Sequence, residues 1–157
     1  MLTTNNTRQK ITETCLRLLA IREHSQQELI HKLIARGFTV EEIEPVLVEI
    51  NRQGWQDNRR FAESYARQRM LKGYGPIRIR YELQQRGIAE IDLDSLAEQY
   101  LGSWSDSLLE LYQQKFDQRQ QLTQSEWLKR SRFLQQRGFS TAMIRQLFAQ
   151  LNLKMSR

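Results

Sequence analysis

A motif of arginine, glycine and an apolar residue recurs three times along this chain, at intervals of 50 and 51 residues. It reads Arg36-Gly37-Phe38, Arg86-Gly87-Ile88 and Arg137-Gly138-Phe139. Apolar residues recur at fixed distances from the three glycines: Leu33, Leu83 and Leu134 lie four residues before, Ile43, Leu93 and Ile144 six after, Ile11, Phe61 and Tyr112 twenty-six before, and Cys15, Tyr65 and Phe116 twenty-two before. This periodicity indicates three tandem units of about 50 residues.

Helix signals fill each unit. Two capping-box signatures, Ser25 to Glu28 and Thr39 to Glu42, mark helix starts. A first helix is expected to be capped by Asn6 or Thr7 and to run to about residue 22. Pro45 predicts either a kink in the third helix or a later start of that helix. Each motif glycine suits the left-handed residue that follows a helix.

The chain has only seven glycines and two prolines, which favours helix over sheet. We therefore predict an all-α fold of three tandem three-helix repeats, each similar to a helix-turn-helix, in an elongated, curved arrangement. The predicted domains are residues 1–54, 55–102 and 103–157.

Several smaller expectations accompany this fold. Asp92 is the candidate cap for the third helix of the second repeat. Residues 118–124 are expected to form a helix end and a loop, and residues 154–157 are expected to fray. The three tryptophans are predicted to pack in the core or between repeats, at Trp55, Trp104 and Trp127.

Positive charge is concentrated in the second repeat. Residues 58–88 hold eight lysines or arginines against two glutamates, whereas the other parts of the chain nearly cancel within the total of +6. This unit is predicted to bind an anionic partner such as a phosphate backbone or an acidic protein groove. An ordinary solvated face, partly neutralised by pairs within its helices, is the alternative.

Two basic helices are predicted on either side of a hinge, Lys72-Gly73-Tyr74-Gly75-Pro76. Asp57 suits the cap of the first helix, and Pro76 suits the first position of the second. Arg67, Arg69 and Lys72 are expected to point outward because they alternate with apolar positions. Tyr74 is expected either to contact a partner by stacking or pocket filling, or to hold the hinge on its own core.

These residues carry a family resemblance. The order and spacing of Phe61, Tyr65, the hinge, Arg78-Ile79, Glu82-Leu83 and Gly87-Ile88 resemble the signature of the RecX family, bacterial regulators of the recombinase RecA. The resemblance implies a protein that binds the RecA nucleoprotein filament and inhibits its ATPase, recombinase and coprotease activities, within homologous recombination, DNA repair and the SOS response. It points to Arg60-Phe61, the hinge and Arg78-Ile79.

A second basic patch is predicted at Lys129, Arg130, Arg132 and Arg137, where it would extend the basic track. From the two patches and the resemblance, the candidate partner- or nucleic-acid-binding residues are Arg59, Arg60, Arg67, Arg69, Lys72, Tyr74, Arg78, Arg80, Arg130 and Arg132. Any binding to single- or double-stranded DNA is expected to be weak and independent of sequence.

Catalytic chemistry is not expected. His24 and His31 are the only histidines and are interpreted as surface residues rather than metal ligands. Glu41 and Glu42 suit a helix N-terminus. Cys15 fits a buried apolar position, so a reactive thiol is not predicted. No phosphate-binding loop or nucleophile elbow occurs in the sequence. We predict no cofactor, no metal and no enzymatic activity.

The polar N-terminal segment and the lack of a long apolar run predict a cytosolic monomer without membrane contact. Two other function classes remain open. One is a sequence-specific transcription factor, because helix-turn-helix units suit the major groove, although Gln84, Gln85 and Arg86 stand at a helix end. The other is a structural scaffold without nucleic-acid contact.

Overall fold

The computed structural model describes residues 2–156, with side chains from residue 5 onward. This part of the chain contains nine helices and two short strands. The helices are α1 (Leu2–Ile21), α2 (Gln26–Ala35), α3 (Val40–Arg52), α4 (Asn58–Leu71), α5 (Pro76–Gln85), α6 (Leu93–Leu101), α7 (Trp104–Lys115), α8 (Gln124–Gln136) and α9 (Thr141–Gln150), and the strands are β1 (Gln121–Leu122) and β2 (Lys154–Met155). The all-α prediction is confirmed, with three helices in each repeat.

Side-chain caps start several helices as predicted. The Ser25 hydroxyl accepts a hydrogen bond from the amide of Glu28, and the Glu28 carboxylate accepts one from the amide of Ser25, both at 3.1 Å. A second box caps α3, which runs through Pro45, so the helix has no later start. The Asp92 carboxylate caps α6. The expected caps of α1 were wrong, since that helix begins at Leu2.

The three Arg-Gly motifs form the same backbone turn, called here the Arg-Gly corner. Their glycines have φ values of +95° at Gly37, +85° at Gly87 and +105° at Gly138. The next amide donates to the leucine carbonyl four residues before each glycine: Phe38 to Leu33 at 3.2 Å, Ile88 to Leu83 at 2.9 Å and Phe139 to Leu134 at 3.3 Å. This is the Schellman arrangement that satisfies helix-end carbonyls.

The residues divide into two compact units. The first comprises residues up to Ser64 together with Leu83–Ile91. Its core lies among α1, α2 and α3 and contains Ile11, Cys15, Leu29, Leu33, Ile43, Val46, Leu47 and Ile50. Burial raises the pKa of the Cys15 thiol to about 11, so the thiol is protonated at neutral pH.

The second unit comprises Tyr65–Glu82 together with residues from Asp92 onward. Its main core lies among α7, α8 and α9 and contains Leu108, Leu111, Tyr112, Leu134, Phe139, Ile144, Leu147 and Phe148. The boundary between the units falls within α4 and within α5. The three domains proposed from the sequence stay a prediction.

The end of the second unit is more ordered than predicted. Strands β1 and β2 pair in parallel, and the amide of Ser156 donates to the carbonyl of Leu122 at 2.7 Å. Fraying was therefore wrong for residues 154–156, and residue 157 lies outside the described residues. Residues 118–123 form a loop that contains β1, and residue 124 begins α8.

The tryptophans differ from one another. The indole of Trp127 packs edge-to-face on Phe148, and Trp104 is partly buried against the same core. Trp55 is 45% exposed and therefore lies outside the core, and its packing between repeats stays a prediction. Within the described residues, no helix is long and apolar enough to cross a bilayer.

Candidate partner interface

The hinge joins α4 to α5 and contains two glycines, each required for a different structural reason. Gly73 has a φ of +87° and ends α4, which is the left-handed conformation that glycine adopts without steric cost. Gly75 lacks a positive φ. A Cβ placed on Gly75 would lie 2.6 Å from the carbonyl oxygen of Gly138, so glycine is required there for close approach of two backbones.

The hinge packs against the third Arg-Gly corner. The amide of Gly75 donates to the carbonyl of Arg137 at 2.7 Å, and the amide of Ile77 donates to the carbonyl of Gly138 at 3.0 Å. A Cβ on Gly138 would lie 2.5 Å from the Cβ of Arg78. Backbone therefore contacts backbone here, without room for a side chain on either glycine.

Three guanidinium groups surround the ring of Tyr74. The distances from ring centroid to guanidinium carbon are 3.8 Å for Arg69, 4.7 Å for Arg78 and 4.7 Å for Arg137. Contacts of this length are cation–π interactions. The sequence left two interpretations of Tyr74, contact with a partner or attachment of the hinge to its own unit. The geometry favours the second, although the ring packs against arginines and not against an apolar core.

Arg69 is held inside the second unit. Its guanidinium donates two hydrogen bonds of 2.9 Å to the carboxylate of Glu82, and its side chain is only 19% exposed. Burial, the largest single influence, lowers the pKa of Arg69, but the hydrogen bonds to Glu82 and the charge of that carboxylate, together with Tyr65 and Tyr74, outweigh it, so the net change is upward. The expectation that Arg69 points outward was wrong.

Arg60 has a similar structural role in the first unit. It forms an ion pair of 2.7 Å with Glu23 and donates to the carbonyls of Gly54 and Trp55, each at 3.0 Å. These bonds hold the end of the first repeat to the start of α4. About half of the side chain is exposed.

Five other candidates in the second repeat are exposed, and we call them the exposed cations: Arg59, Arg67, Lys72, Arg78 and Arg80. Arg59 lies in the first unit and pairs with Glu63 at 3.3 Å. The other four lie in the second unit. Within it, Arg67 lies over the ring of Tyr100 at 4.9 Å, and Arg78 donates to the carbonyl of Gln136 at 2.9 Å. Neither contact buries its charge.

The second basic patch is only partly on the surface. Arg130 is 5% exposed, and its guanidinium donates to the Tyr112 hydroxyl at 2.8 Å and to the Asp117 carboxylate at 3.1 Å. Arg119 and Arg130 together hold the pKa of Asp117 well below its usual range. Arg130 is therefore a buried residue that pairs with the half-exposed Asp117, and its prediction as a surface residue was wrong, whereas Arg132 is exposed.

The histidines were also misplaced in part. His24 is 1% exposed, so its assignment to the surface was wrong, and only His31 is exposed. The ring of His24 lies 3.0 Å from the carbonyl of Arg22 through Nδ1 and 2.8 Å from the ammonium of Lys32 through Nε2. Among the described residues, no group of three potential ligands could hold a metal.

Sequence reasoning missed the place of Arg137. It was grouped with the charges of α8, but its guanidinium donates to the carbonyl of Lys72 at 3.1 Å and covers Tyr74. The only available signal was the Arg-Gly motif itself. That motif predicted the turn and gave no indication of what the turn packs against.

Three family models match successive parts of the chain. They describe the first, second and third three-helix domains of RecX, and they match residues 13–49, 57–95 and 105–148 respectively. Together they cover most of the sequence. The chain belongs to the RecX family.

Relatives of similar length support this assignment. The chain is 37% identical over 142 residues to a regulatory protein RecX of Legionella pneumophila, which covers 90% of this chain and 95% of that protein. It is 41% identical over 140 residues to a regulatory protein RecX of Pseudomonas putida, with 88% and 89% covered. These RecX relatives are named regulatory proteins, and a regulatory role extends to this chain.

Solved RecX structures share the fold. A crystal structure of regulatory protein RecX superposes with a TM-score of 0.72 at 23% identity, covering 92% of this chain and 74% of that chain. RecX from Lactobacillus salivarius superposes with a TM-score of 0.70 at 20% identity, covering 96% and 99%. At this identity the likeness concerns the helical architecture.

Proposed function

We propose that this chain binds the RecA nucleoprotein filament and inhibits its ATPase, strand-exchange and coprotease activities. The observation that carries the proposal is the match of all three RecX domains in order along the chain. Three similar units in series suit an extended, repetitive partner, because each unit adds a contact.

The contacts are proposed at the exposed cations of the second unit, which are Arg67, Lys72, Arg78 and Arg80. A filament of protein and nucleic acid offers carboxylates and phosphates, to which exposed guanidinium and ammonium groups bind. Tyr74 and Arg69 are proposed to act indirectly. The contacts between the Tyr74 ring and its three arginines fix the conformation of the hinge that contains Lys72. Arg59, which pairs with Glu63 in the first unit, stays a separate prediction.

The direct test is charge reversal of the triple variant Arg67→Glu, Lys72→Glu and Arg80→Glu. We expect the concentration for half-inhibition of filament ATPase and strand exchange to rise at least about tenfold, because buried or rim charge pairs are lost. The side chains are exposed, so helix content and melting temperature should be nearly unchanged. The variant also loses one cation–π contact, worth about 0.5–1 kcal/mol.

A matched control has the same change in net charge elsewhere. Lys10→Glu, Arg17→Glu and Arg145→Glu alter three exposed cations outside the proposed contacts. This control should inhibit like the parent protein. Equal loss in both variants would show that only total charge matters, and full inhibition by the first variant would exclude these cations as contacts.

Binding to free DNA separates this proposal from a transcription factor. We expect weak, sequence-independent binding whose log–log salt slope falls by about 0.9 for each duplex phosphate contact removed. A footprint at one sequence that persists at physiological salt would instead support a transcription factor. Retention that is much stronger on nucleotide-loaded filaments than on naked DNA supports the regulator.

A further inference from the structure

A cleft of about 510 Å³ lies between the end of α7 and one face of α8 in the second unit. Lys115, the last residue of α7, and Phe116, directly after it, line one side, and Leu128, Lys129, Arg132 and Phe133 line it from α8. The α8 residues recur at helical spacing, so they form one continuous stripe. The opposite face of α8 carries Leu134 and the buried Arg130 into the core. One face of α8 therefore packs in the core, and another lines the cleft.

The cleft combines positive charge with apolar surface. Lys115, Lys129 and Arg132 are exposed, and none of the described residues that line the cleft is a carboxylate. In the described part of the chain, none of the three takes part in an ion pair. Leu128 lies among them and is 52% exposed. Uncompensated cations around an exposed leucine are complementary to carboxylates around an apolar side chain.

The aromatic rings in the cleft are poorly placed to stack on bases. The guanidinium of Arg130 covers Phe116 at 4.9 Å from the ring centroid. Lys115 and Arg137 lie over Phe133 at 5.2 and 5.3 Å. The two rings meet edge-to-face, with centroids 5.5 Å apart. Single-stranded nucleic acid needs free ring faces for stacking, and here cations already occupy them.

We infer that this cleft binds an acidic segment of a partner protein, with an apolar side chain against Leu128 and carboxylates on Lys115, Lys129 and Arg132. Its volume is within the range of roughly 300–1,000 Å³ that is typical of ligand sites. None of the exposed cations lines this cleft. Its occupancy does not depend on the proposed function.

The test uses the full-length protein and a short fluorescein-labelled peptide in which one leucine is flanked by glutamates. Fluorescence anisotropy should show salt-sensitive binding. The double variant Lys129→Glu and Arg132→Glu should weaken it at least about tenfold, as expected when complementary charges become repulsive. Arg145→Glu, on exposed surface outside the cleft, should bind like the parent protein. Melting temperatures should agree among all variants.

Leu128→Ser tests the apolar part. This variant should bind the leucine peptide more weakly than the parent protein does. A peptide with serine in place of leucine should bind the parent protein more weakly too, and the variant should lower its affinity no further, so the two losses are not additive. Two results would overturn the inference. One is parental affinity in the double variant. The other is displacement of the peptide by a thymidine oligonucleotide, together with loss of oligonucleotide binding by the same variant proteins. That result would show that the cleft binds nucleic acid.

Discussion

Two of the three Arg-Gly corners are packed, and they are packed in different ways. At the second corner, in the first unit, a Cβ on Gly87 would meet the side chain of Gln27 at 2.5 Å. The Gln27 amide also donates to the carbonyl of Gln85 at 3.1 Å. At the third corner, in the second unit, Gly138 meets the backbone of the hinge. At the first corner, no atom of the described residues lies within 4 Å of such a Cβ on Gly37.

This comparison separates local structure from packing. All three corners have the same turn, because the same residues satisfy the same carbonyls. What packs on each corner depends on the start of a helix that is distant in sequence. The start of α2 places the flexible side chain of Gln27 against the second corner, and the start of α5 places Gly75 against the third. A side chain can move aside, whereas two hydrogen-bonded backbones cannot. The third corner should therefore tolerate substitution least.

The largest effect is expected for Gly138→Ala. The positive φ costs about 1–2 kcal/mol for any residue with a Cβ, and the overlap with Arg78 adds about 1–3 kcal/mol. We expect a loss of about 3 kcal/mol or more in the free energy of unfolding. Denaturant titration followed by circular dichroism measures it.

Gly87→Ala and Gly37→Ala are the matched controls, since all three glycines share a positive φ. Gly37→Ala should cost only about 1 kcal/mol, and Gly87→Ala about 2 kcal/mol because Gln27 moves and loses its hydrogen bond. Equal losses at the three sites would contradict the difference between the corners.

Gly75→Ala isolates the overlap from the backbone conformation, because Gly75 has no positive φ. The new Cβ would lie 2.6 Å from the carbonyl of Gly138, and we expect a loss of about 2 kcal/mol. Hydrogen exchange should increase first at the amides of residue 75 and Ile77, which donate to the carbonyls of Arg137 and Gly138. Unchanged exchange at these amides would show that the two backbones can separate at little cost.

An effect of similar size is expected when Arg69 is replaced by Met. The change removes two charged hydrogen bonds to Glu82 and one guanidinium from Tyr74, and it should cost about 2 kcal/mol. Arg80→Met, on the exposed side of α5, should stay within about 0.5 kcal/mol. A comparable loss in both variants would mean that the half-buried pair is no more important than surface charge.

The smallest effect concerns pH and is confined to the first unit, where His24 occupies the repeat position that Tyr74 occupies in the second. Burial lowers the pKa of His24; the bond to Arg22 raises it, and the charges of Arg22 and Lys32 lower it further. The neutral ring is favoured in the folded state, so the first unit should lose stability as pH falls below about 6.5.

Denaturation midpoints measured between about pH 8 and pH 5 test this expectation. His24→Gln should flatten the decline on the acidic side while lowering stability at neutral pH. If the variant declines as steeply as the parent protein, carboxylates elsewhere control the acid sensitivity.

Much of the fold was predictable because its signals are local. Capping boxes, corner glycines and the Asp92 cap each involve residues within a few positions of one another. The repeat also identified buried positions: apart from Tyr65 and Phe116, the matched apolar residues are buried. The candidate interface was less predictable, since Arg130 and Arg132 stand on one helix and only one of them is exposed.

The sequence by itself determined the helices, their ends, the threefold repeat and the concentration of positive charge. Only the tertiary structure decided which charges are available to a partner. Arg69 meets Glu82 across the hinge, Arg130 meets Asp117 across a loop, and Arg137 reaches Tyr74 from the next repeat. The physical reason is that a long arginine side chain pairs with whatever the fold brings near it, and spacing along the chain does not encode that partner.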